Sequence, residues 1–117
     1  MEEIVLNKWR HHYEDVLKWD PNNYDAWIDL IWLEEEWGDE DIIRDTFEKA
    51  ISNIPDELEK WYWGRYVILW MLYAIWEESS GRIERAWDVL EKIQSIIPHN
   101  LFSFSKIWIM IAHFYVW

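Results

Sequence analysis

Eleven consecutive residues, Tyr66-Val67-Ile68-Leu69-Trp70-Met71-Leu72-Tyr73-Ala74-Ile75-Trp76, carry no charge, no glycine and no proline. No alternation of period two runs through them, and the stretch is longer than an ordinary buried strand, so its length predicts a helix. A helix apolar on all sides must be covered on all sides, by protein or by lipid. A membrane span needs about 20 mostly apolar residues. This run is bracketed too early, by Gly64-Arg65 before it and Glu77-Glu78 after it. A second apolar run, from Ile107 to Trp117, is as short and contains His113. The expectation is therefore a central helix sandwiched between helices of the same polypeptide. A membrane-associated helical protein remains as an alternative, because Trp and Tyr favour membrane interfaces.

The net charge of −12, from 23 acidic and 11 basic residues, narrows the choice of partner. Such a field repels phosphate backbones and opposes docking on anionic lipid, which argues against direct nucleic-acid binding and against a membrane partner. With no cysteine, disulfides and thiolate metal sites are excluded. Met1-Glu2-Glu3 leads into no secretory signal pattern. At 117 residues the chain is one domain or one segment of a repeat array. The odd figure is 12 tryptophans, far above ordinary usage.

Turn residues divide the chain into six expected helices. The first covers residues 2–18, with Val5, Trp9, His12, Tyr13 and Val16 spaced as one apolar face. Asp20-Pro21-Asn22-Asn23 breaks it. The second covers 24–37, with Asn23 as N-cap, Gly38 as stop, and two apolar stripes: Tyr24, Trp27, Ile28 and Ile31, then Leu30, Leu33 and Trp37. Asp39-Glu40-Asp41 opens the third at its positive end, with Ile43, Phe47, Ala50, Ile51 and Ile54 buried and Pro55 closing it. Asp56 is expected to cap a long fourth helix over 57–79. Within it, Gly64 marks an expected close approach of another backbone. Ser79-Ser80-Gly81 ends it, and a fifth follows over 83–97, burying Ile83, Ala86, Trp87, Leu90, Ile93 and Ile97. After Pro98-His99-Asn100 a sixth begins near Ser103; no stop signal precedes Trp117, so it reads as cut short.

Laid on itself, the chain repeats. Arg10, Tyr13, Glu14 and Pro21 recur as Arg44, Phe47, Glu48 and Pro55. Trp27, Glu34, Gly38 and Pro55 recur as Trp70, Glu77, Gly81 and Pro98. Trp70, Ala74 and Trp76 recur as Trp108, Ala112 and Phe114. The unit is a helix pair, A then B, and paired helices at such a period imply an all-α α-solenoid. The expected divisions are a helix B at 2–18, repeats at 24–55 and 57–98, and a partial repeat at 103–117. The structural signature is Trp27, Glu34, Gly38, Arg44, Phe47 and Pro55, then Trp70, Tyr73, Ala74, Glu77, Gly81 and Pro98, then Trp108 and Ala112.

The pattern resembles the half-a-TPR (HAT) family. Four stretches resemble the N-terminal HAT repeats of crooked neck splicing factors more closely. They are Asn23-Tyr24-Asp25-Ala26-Trp27; Ala50-Ile51-Ser52-Asn53-Ile54-Pro55; Trp63-x-Arg65-Tyr66-x-Ile68-Leu69-Trp70-x-x-Tyr73-Ala74-x-x-Glu77-Glu78; and Ile97-Pro98-His99-x-x-Phe102-Ser103-Phe104-x-Lys106-x-Trp108. The resemblance implies a right-handed stack of hairpins serving as a nuclear, non-enzymatic scaffold that holds spliceosomal proteins together. It also implies that only a segment of a longer array is present. Some positions depart from the HAT pattern: Trp87 stands where an Arg is usual, Leu90 where an aromatic is usual, and Tyr115 where a Glu is expected. With the tryptophan content, these departures equally fit a redesigned HAT-like sequence with no natural partner.

Chemistry-bearing residues give no catalytic, cofactor or metal expectation. His11 and His12 are adjacent and point about 100° apart on a helix. His99 falls in a turn, and His113 on an apolar face. No Glu-x-x-His, zinc-protease or EF-hand spacing occurs, so Glu34-Glu35-Glu36 and Asp39-Glu40-Asp41 read as solvated helix ends. Glu34 and Glu77 are exceptions, because they share the face of the signature Trp. A buried carboxylate needs a partner. The expected pairs are Glu34 with Arg44, and Glu77 with Arg85 or another donor. Exposed Trp108, Phe114 and Trp117 would drive self-association through the last helix.

Overall fold

In the computed structural model the described residues are 2–56 and 59–98. They form five helices and no strand: α1 (Glu3–Trp19), α2 (Tyr24–Trp37), α3 (Glu40–Ile51), α4 (Lys60–Ser79) and α5 (Ile83–Ile96). The fold is all-α and of the α-solenoid class, built from packed antiparallel helix pairs. The expected sixth helix at 103–117, with Trp108 and Ala112, lies outside the described residues. The helices fall into two compact units, α1–α3 and α4–α5.

In the first unit α2 packs against both α1 and α3. Asn23 caps α2 by accepting a hydrogen bond from the backbone N–H of Ala26 at 3.1 Å, and Asp39 caps α3 by accepting from Asp41 and Ile42. Between them Gly38 takes φ +92°, a left-handed stop that lets the chain double back at once. At the other end of this hairpin the Tyr24 hydroxyl donates to the Asn53 carbonyl at 2.8 Å. The beginning of α2 is thereby tied to the segment just past α3. The two expected stripes of α2 are buried except for Trp37, which is 42% exposed at the point where Gly38 turns the chain away.

Three expectations in this unit are corrected. On α1 the buried stripe is Leu6 and Leu17, with Arg10 and Tyr13 half-buried between them; Val5, Trp9 and His12 are exposed. Both stripes have helical spacing, but the one that meets α2 contains the charged Arg10, which hides it from a search for apolar residues. Helix α3 stops at Ile51, so Ile54 lies beyond the helical face and is 49% exposed. Asp56 does not cap α4; its carboxylate accepts a hydrogen bond from the Asn22 side chain at 3.2 Å. The N-cap position of α4 is Glu59, which makes no side-chain cap bond.

In the second unit α4 packs on α5 across the tight turn at Ser80-Gly81-Arg82. There the Gly81 N–H donates to Glu78 and the Arg82 N–H to Glu77, with Gly81 at φ +85°. The apolar run lies inside α4 as a helix. Trp63, Tyr66, Val67, Leu69, Trp70, Tyr73, Ala74 and Glu77 are buried. They cover an arc of roughly 160° at 100° per residue. Behind that arc Ile68, Met71 and Leu72 are half-buried and Ile75 is 44% exposed. The cover is thus wide but incomplete. On α5 the buried residues are Ala86, Val89, Leu90 and Ile93; Ile83 and Trp87, expected inside, are half-buried, and Val89 takes their place.

A Cβ built on Gly38 meets nothing within 4 Å, so any cost of adding one is purely conformational. Gly38→Ala is expected to lower unfolding free energy by about 1 kcal/mol, and Gly38→Asn by less, because Asn tolerates the left-handed region. Urea midpoints of the three proteins check this.

Candidate functional site

Each of the two glutamates on the signature face is removed from water and met by arginine. Glu34 is 3% exposed. The Arg10 guanidinium reaches it from α1, donating from Nε to Oε2 at 2.7 Å and from Nη2 to Oε1 at 2.6 Å. This is a two-point, planar grip of the kind only arginine provides. Arg10 also donates to the Asn7 side chain at 3.0 Å, which fixes the guanidinium from behind. The Glu34 hydrogen bond and charge raise Arg10 above its ordinary pKa, so the cation persists. The pairing differs from the expected Glu34–Arg44 bridge: Arg44 Nη2 donates instead to Glu40, one turn earlier on α3, at 3.2 Å. The reason is reach. Arg10 projects from the buried face of α1 directly onto α2, whereas the first turn of α3 offers Arg44 a local carboxylate.

Glu77 is 1% exposed and is served differently. Arg82, in the turn after α4, donates from Nε to Oε1 at 3.0 Å. Its guanidinium also lies over the Trp76 ring at 4.9 Å, a cation–π contact that holds the same side chain. Arg85, the donor named from sequence, stands at 3.9 Å as an outer charge. Two carboxylates in equivalent register are therefore neutralised from opposite directions: one by a preceding helix, the other by the turn that follows.

The signature tryptophans diverge as well. Trp27 Nε1 donates to the Pro21 carbonyl at 2.8 Å. The Trp70 Nε1 meets no such carbonyl; the polar group it faces is the Tyr66 hydroxyl, one turn earlier on α4. The counterpart of Pro21 at the same offset is Gly64, which sits inside α4, where carbonyls are taken by the helix's own ladder. Extending α4 beyond the start of its counterpart α2 removes the acceptor.

The other signature positions in the described residues are placed as follows. Phe47, Ala74 and Tyr73 are buried, Pro55 is buried after α3, Pro98 is half-buried after α5, and Gly38 and Gly81 hold the two left-handed turns. Between α1 and α3 lies a groove of about 410 Å³, floored by Trp27 and Leu30 and edged by Glu14, Lys18, Asp45 and Lys49. Its charges alternate in sign, and its buried carboxylate, Glu34, is already held by Arg10. No group of three or more His, Asp or Glu side chains that could hold a metal occurs among the described residues. His12 stacks edge-on with Trp9 and Tyr13, while His11 faces Asp15 at 3.6 Å, so the adjacent histidines diverge as expected. In the acidic cluster, desolvation raises the Glu35 carboxyl above its ordinary value. No described helix is long and apolar enough to cross a membrane.

Comparison with known proteins assigns this arrangement. The chain is 45% identical over 115 residues to pre-mRNA-splicing factor clf1 of Aspergillus fumigatus, covering 97% of this chain. It is 42% identical to protein crooked neck of Drosophila melanogaster and 40% identical to crooked neck-like protein 1 of Homo sapiens, again over 97% of the chain. Over nearly its whole length the chain is similar to crooked neck and clf1 splicing factors. It spans 17%, 16% and 14% of the length of these three relatives. No family model matches the chain. The crooked-neck-like character thus rests on continuous similarity along nearly the whole segment, together with its helical hairpins.

Two measurements test the site. Arg10→Met leaves a buried, unpaired carboxylate and is expected to cost about 3 kcal/mol, while adding Glu34→Leu recovers most of that loss; chemical denaturation of both variants reads the difference. Trp27→Phe is expected to cost about 1 kcal/mol more than Trp70→Phe, because Trp27 gives up a 2.8 Å hydrogen bond to a backbone carbonyl and leaves that carbonyl unpaired, whereas Trp70 faces only a hydroxyl that can turn elsewhere. Equal losses in thermal melts of the two would contradict that account.

Proposed function

We propose that this segment is a non-enzymatic protein–protein interaction scaffold acting in the nucleus within a pre-mRNA splicing assembly. The observation that carries the reading is the 40–46% identity, over 97% of the chain, to proteins named as pre-mRNA-splicing factors or crooked neck. The internal chemistry supports it: the two buried carboxylates are neutralised by arginines. A carboxylate held in this way fixes one helix against its neighbour rather than moving protons. The net charge of −12 favours basic protein partners over nucleic acid. In this reading the repeats run 24–55 and 57–98, preceded by a helix B at 2–18 and followed by a partial repeat at 103–117. Trp27, Glu34, Gly38, Arg44, Phe47 and Pro55, with Trp70, Tyr73, Ala74, Glu77, Gly81, Pro98, Trp108 and Ala112, are their structural signature.

A second reading is a redesigned HAT-like sequence with no natural partner. The exposed tryptophans favour it: Trp9, Trp19, Trp32, Trp37 and Trp61 all stand in solvent, Trp19 at 87%. One experiment separates the two. The tagged chain is incubated in nuclear extract and captured proteins are identified against a scrambled-sequence control. Enrichment of spliceosomal proteins over the control is the expected result; a profile identical to the control favours the redesigned sequence.

A further inference from the structure

The groove of about 410 Å³ between α1 and α3 has a chemical polarity that the buried ion pairs do not use. Its floor and both its walls belong to one compact unit. Leu17, Trp27 and Leu30 lie at the bottom and Ile42 on one side. The polar groups at that depth are already engaged. The Trp27 Nε1 donates to Pro21, Thr46 gives its hydroxyl to the Ile42 carbonyl at 2.7 Å, and Glu34 and Arg10 neutralise each other. What remains is an apolar bottom below exposed rim charges: Glu14 and Lys18 on α1, Asp45 and Lys49 on α3. On each wall the acid precedes the lysine by one helical turn and a little more, about 6 Å along the axis. Helices α1 and α3 both run antiparallel to α2 and so point the same way. The repeat register that sets Arg10 on Arg44 orders the four charges along the groove as Asp45, Glu14, Lys49 and Lys18. One end is therefore acidic and the other basic. The Asp45–Lys49 contact at 2.9 Å joins side chains that are 62% and 67% exposed, and a pair of that kind is readily given up to another partner.

We propose that this groove seats an extended segment of a protein partner whose consecutive side chains are basic, apolar and acidic, read from the acidic end to the basic end. The proposal rests on the scaffold reading and gives the chemistry of its ligand. In an extended chain successive side chains point to opposite sides, and residues two apart are separated by about 7 Å. The apolar side chain then enters the groove while its two neighbours turn up to the rim, at a spacing close to that between the acids and the lysines. A Lys or Arg meets Asp45 and Glu14, and an Asp or Glu meets Lys49 and Lys18. The volume is at the small end of ligand sites, which suits one or two side chains rather than a whole helix. The net charge of −12 attracts any cation, but the lining itself is balanced, with Arg10, Lys18 and Lys49 against Glu14, Glu34 and Asp45. The lysines repel a purely basic segment and the acids a purely acidic one, so the groove selects a segment that carries both signs in order. Either chain direction serves, because only the order of charges along the groove is read.

Titration of the isotope-labelled chain with the blocked peptide acetyl-Gly-Gly-Lys-Leu-Glu-Gly-Gly-amide, followed by NMR, tests this. The expected result is saturable shifts of the backbone amides over 14–18 and 42–49, with a Kd on the order of 1 mM. Peptides with Lys-Leu-Lys, Glu-Leu-Glu or Lys-Ser-Glu at the centre bind at least about tenfold more weakly. Lys18→Glu combined with Lys49→Glu makes the groove acidic throughout, so Lys-Leu-Lys then binds more tightly than Lys-Leu-Glu, with far-UV circular dichroism unchanged. Lys8→Glu combined with Lys92→Glu changes the net charge equally outside the groove and leaves the original preference in place. No saturable shift up to about 10 mM peptide overturns the proposal. So does equal binding of Lys-Leu-Lys and Lys-Leu-Glu by the unaltered chain, which is the result for attraction to net charge alone. Should the paired variants misfold, the peptide panel on the unaltered chain decides by itself. Capture of splicing proteins without binding of this peptide keeps the scaffold and removes the groove; binding of the peptide with an empty capture does the reverse.

Discussion

A carboxylate taken out of water inside a helical pair must be met by a cation in good geometry, or the pair comes apart. Glu34 imposes that constraint on α1 and α2. Its two oxygens take both donors of Arg10, so the rotation of α1 about its own axis is set by where Arg10 must point. Once Arg10 faces α2, Leu6 and Leu17 follow it inward and Trp9 and His12 are carried outward. Hydrophobic burial alone would not choose between the two stripes, because both are spaced to pack. The ion pair breaks the tie, and in doing so determines which surface the protein shows to others.

Glu77 meets the same demand by a different route, which says something about how repeat proteins tolerate change. The position, burial and charge of the glutamate recur, but the arginine that neutralises it comes from the following turn and is steadied by the Trp76 ring. The physical requirement is local electroneutrality, not a particular partner. The signature tryptophans behave alike: Trp27 and Trp70 are both buried, yet only Trp27 finds a backbone carbonyl, because α4 starts further ahead of its tryptophan than α2 does. A repeat conserves shape and burial; hydrogen bonds are met where the chain allows.

Burying Glu34, Glu77, Trp27 and Trp70 within hairpins leaves other faces of the helices open to solvent. The exposed tryptophans on α1, α2 and α4 and the excess of acidic charge give those faces their character. Relatives bearing splicing names share the segment over nearly its full length, while it accounts for about one sixth of theirs.

Much of the architecture was written in punctuation and period. Asn23, Gly38, Asp39, Gly81 and Pro98 mark helix ends because caps and left-handed turns depend on one or two side chains and their immediate backbone, and the apolar run of α4 could form nothing but a helix. The carboxylate burial at Glu34 and Glu77 was also legible, since both sit on the face of the signature tryptophan. What the sequence could not decide was anything requiring two helices to be aligned. Which stripe of α1 turns inward, which arginine reaches each glutamate, and whether an indole finds a carbonyl depend on rotations and offsets between helices. Those follow from the joint packing of side chains far apart in the chain, and only the folded structure fixes them.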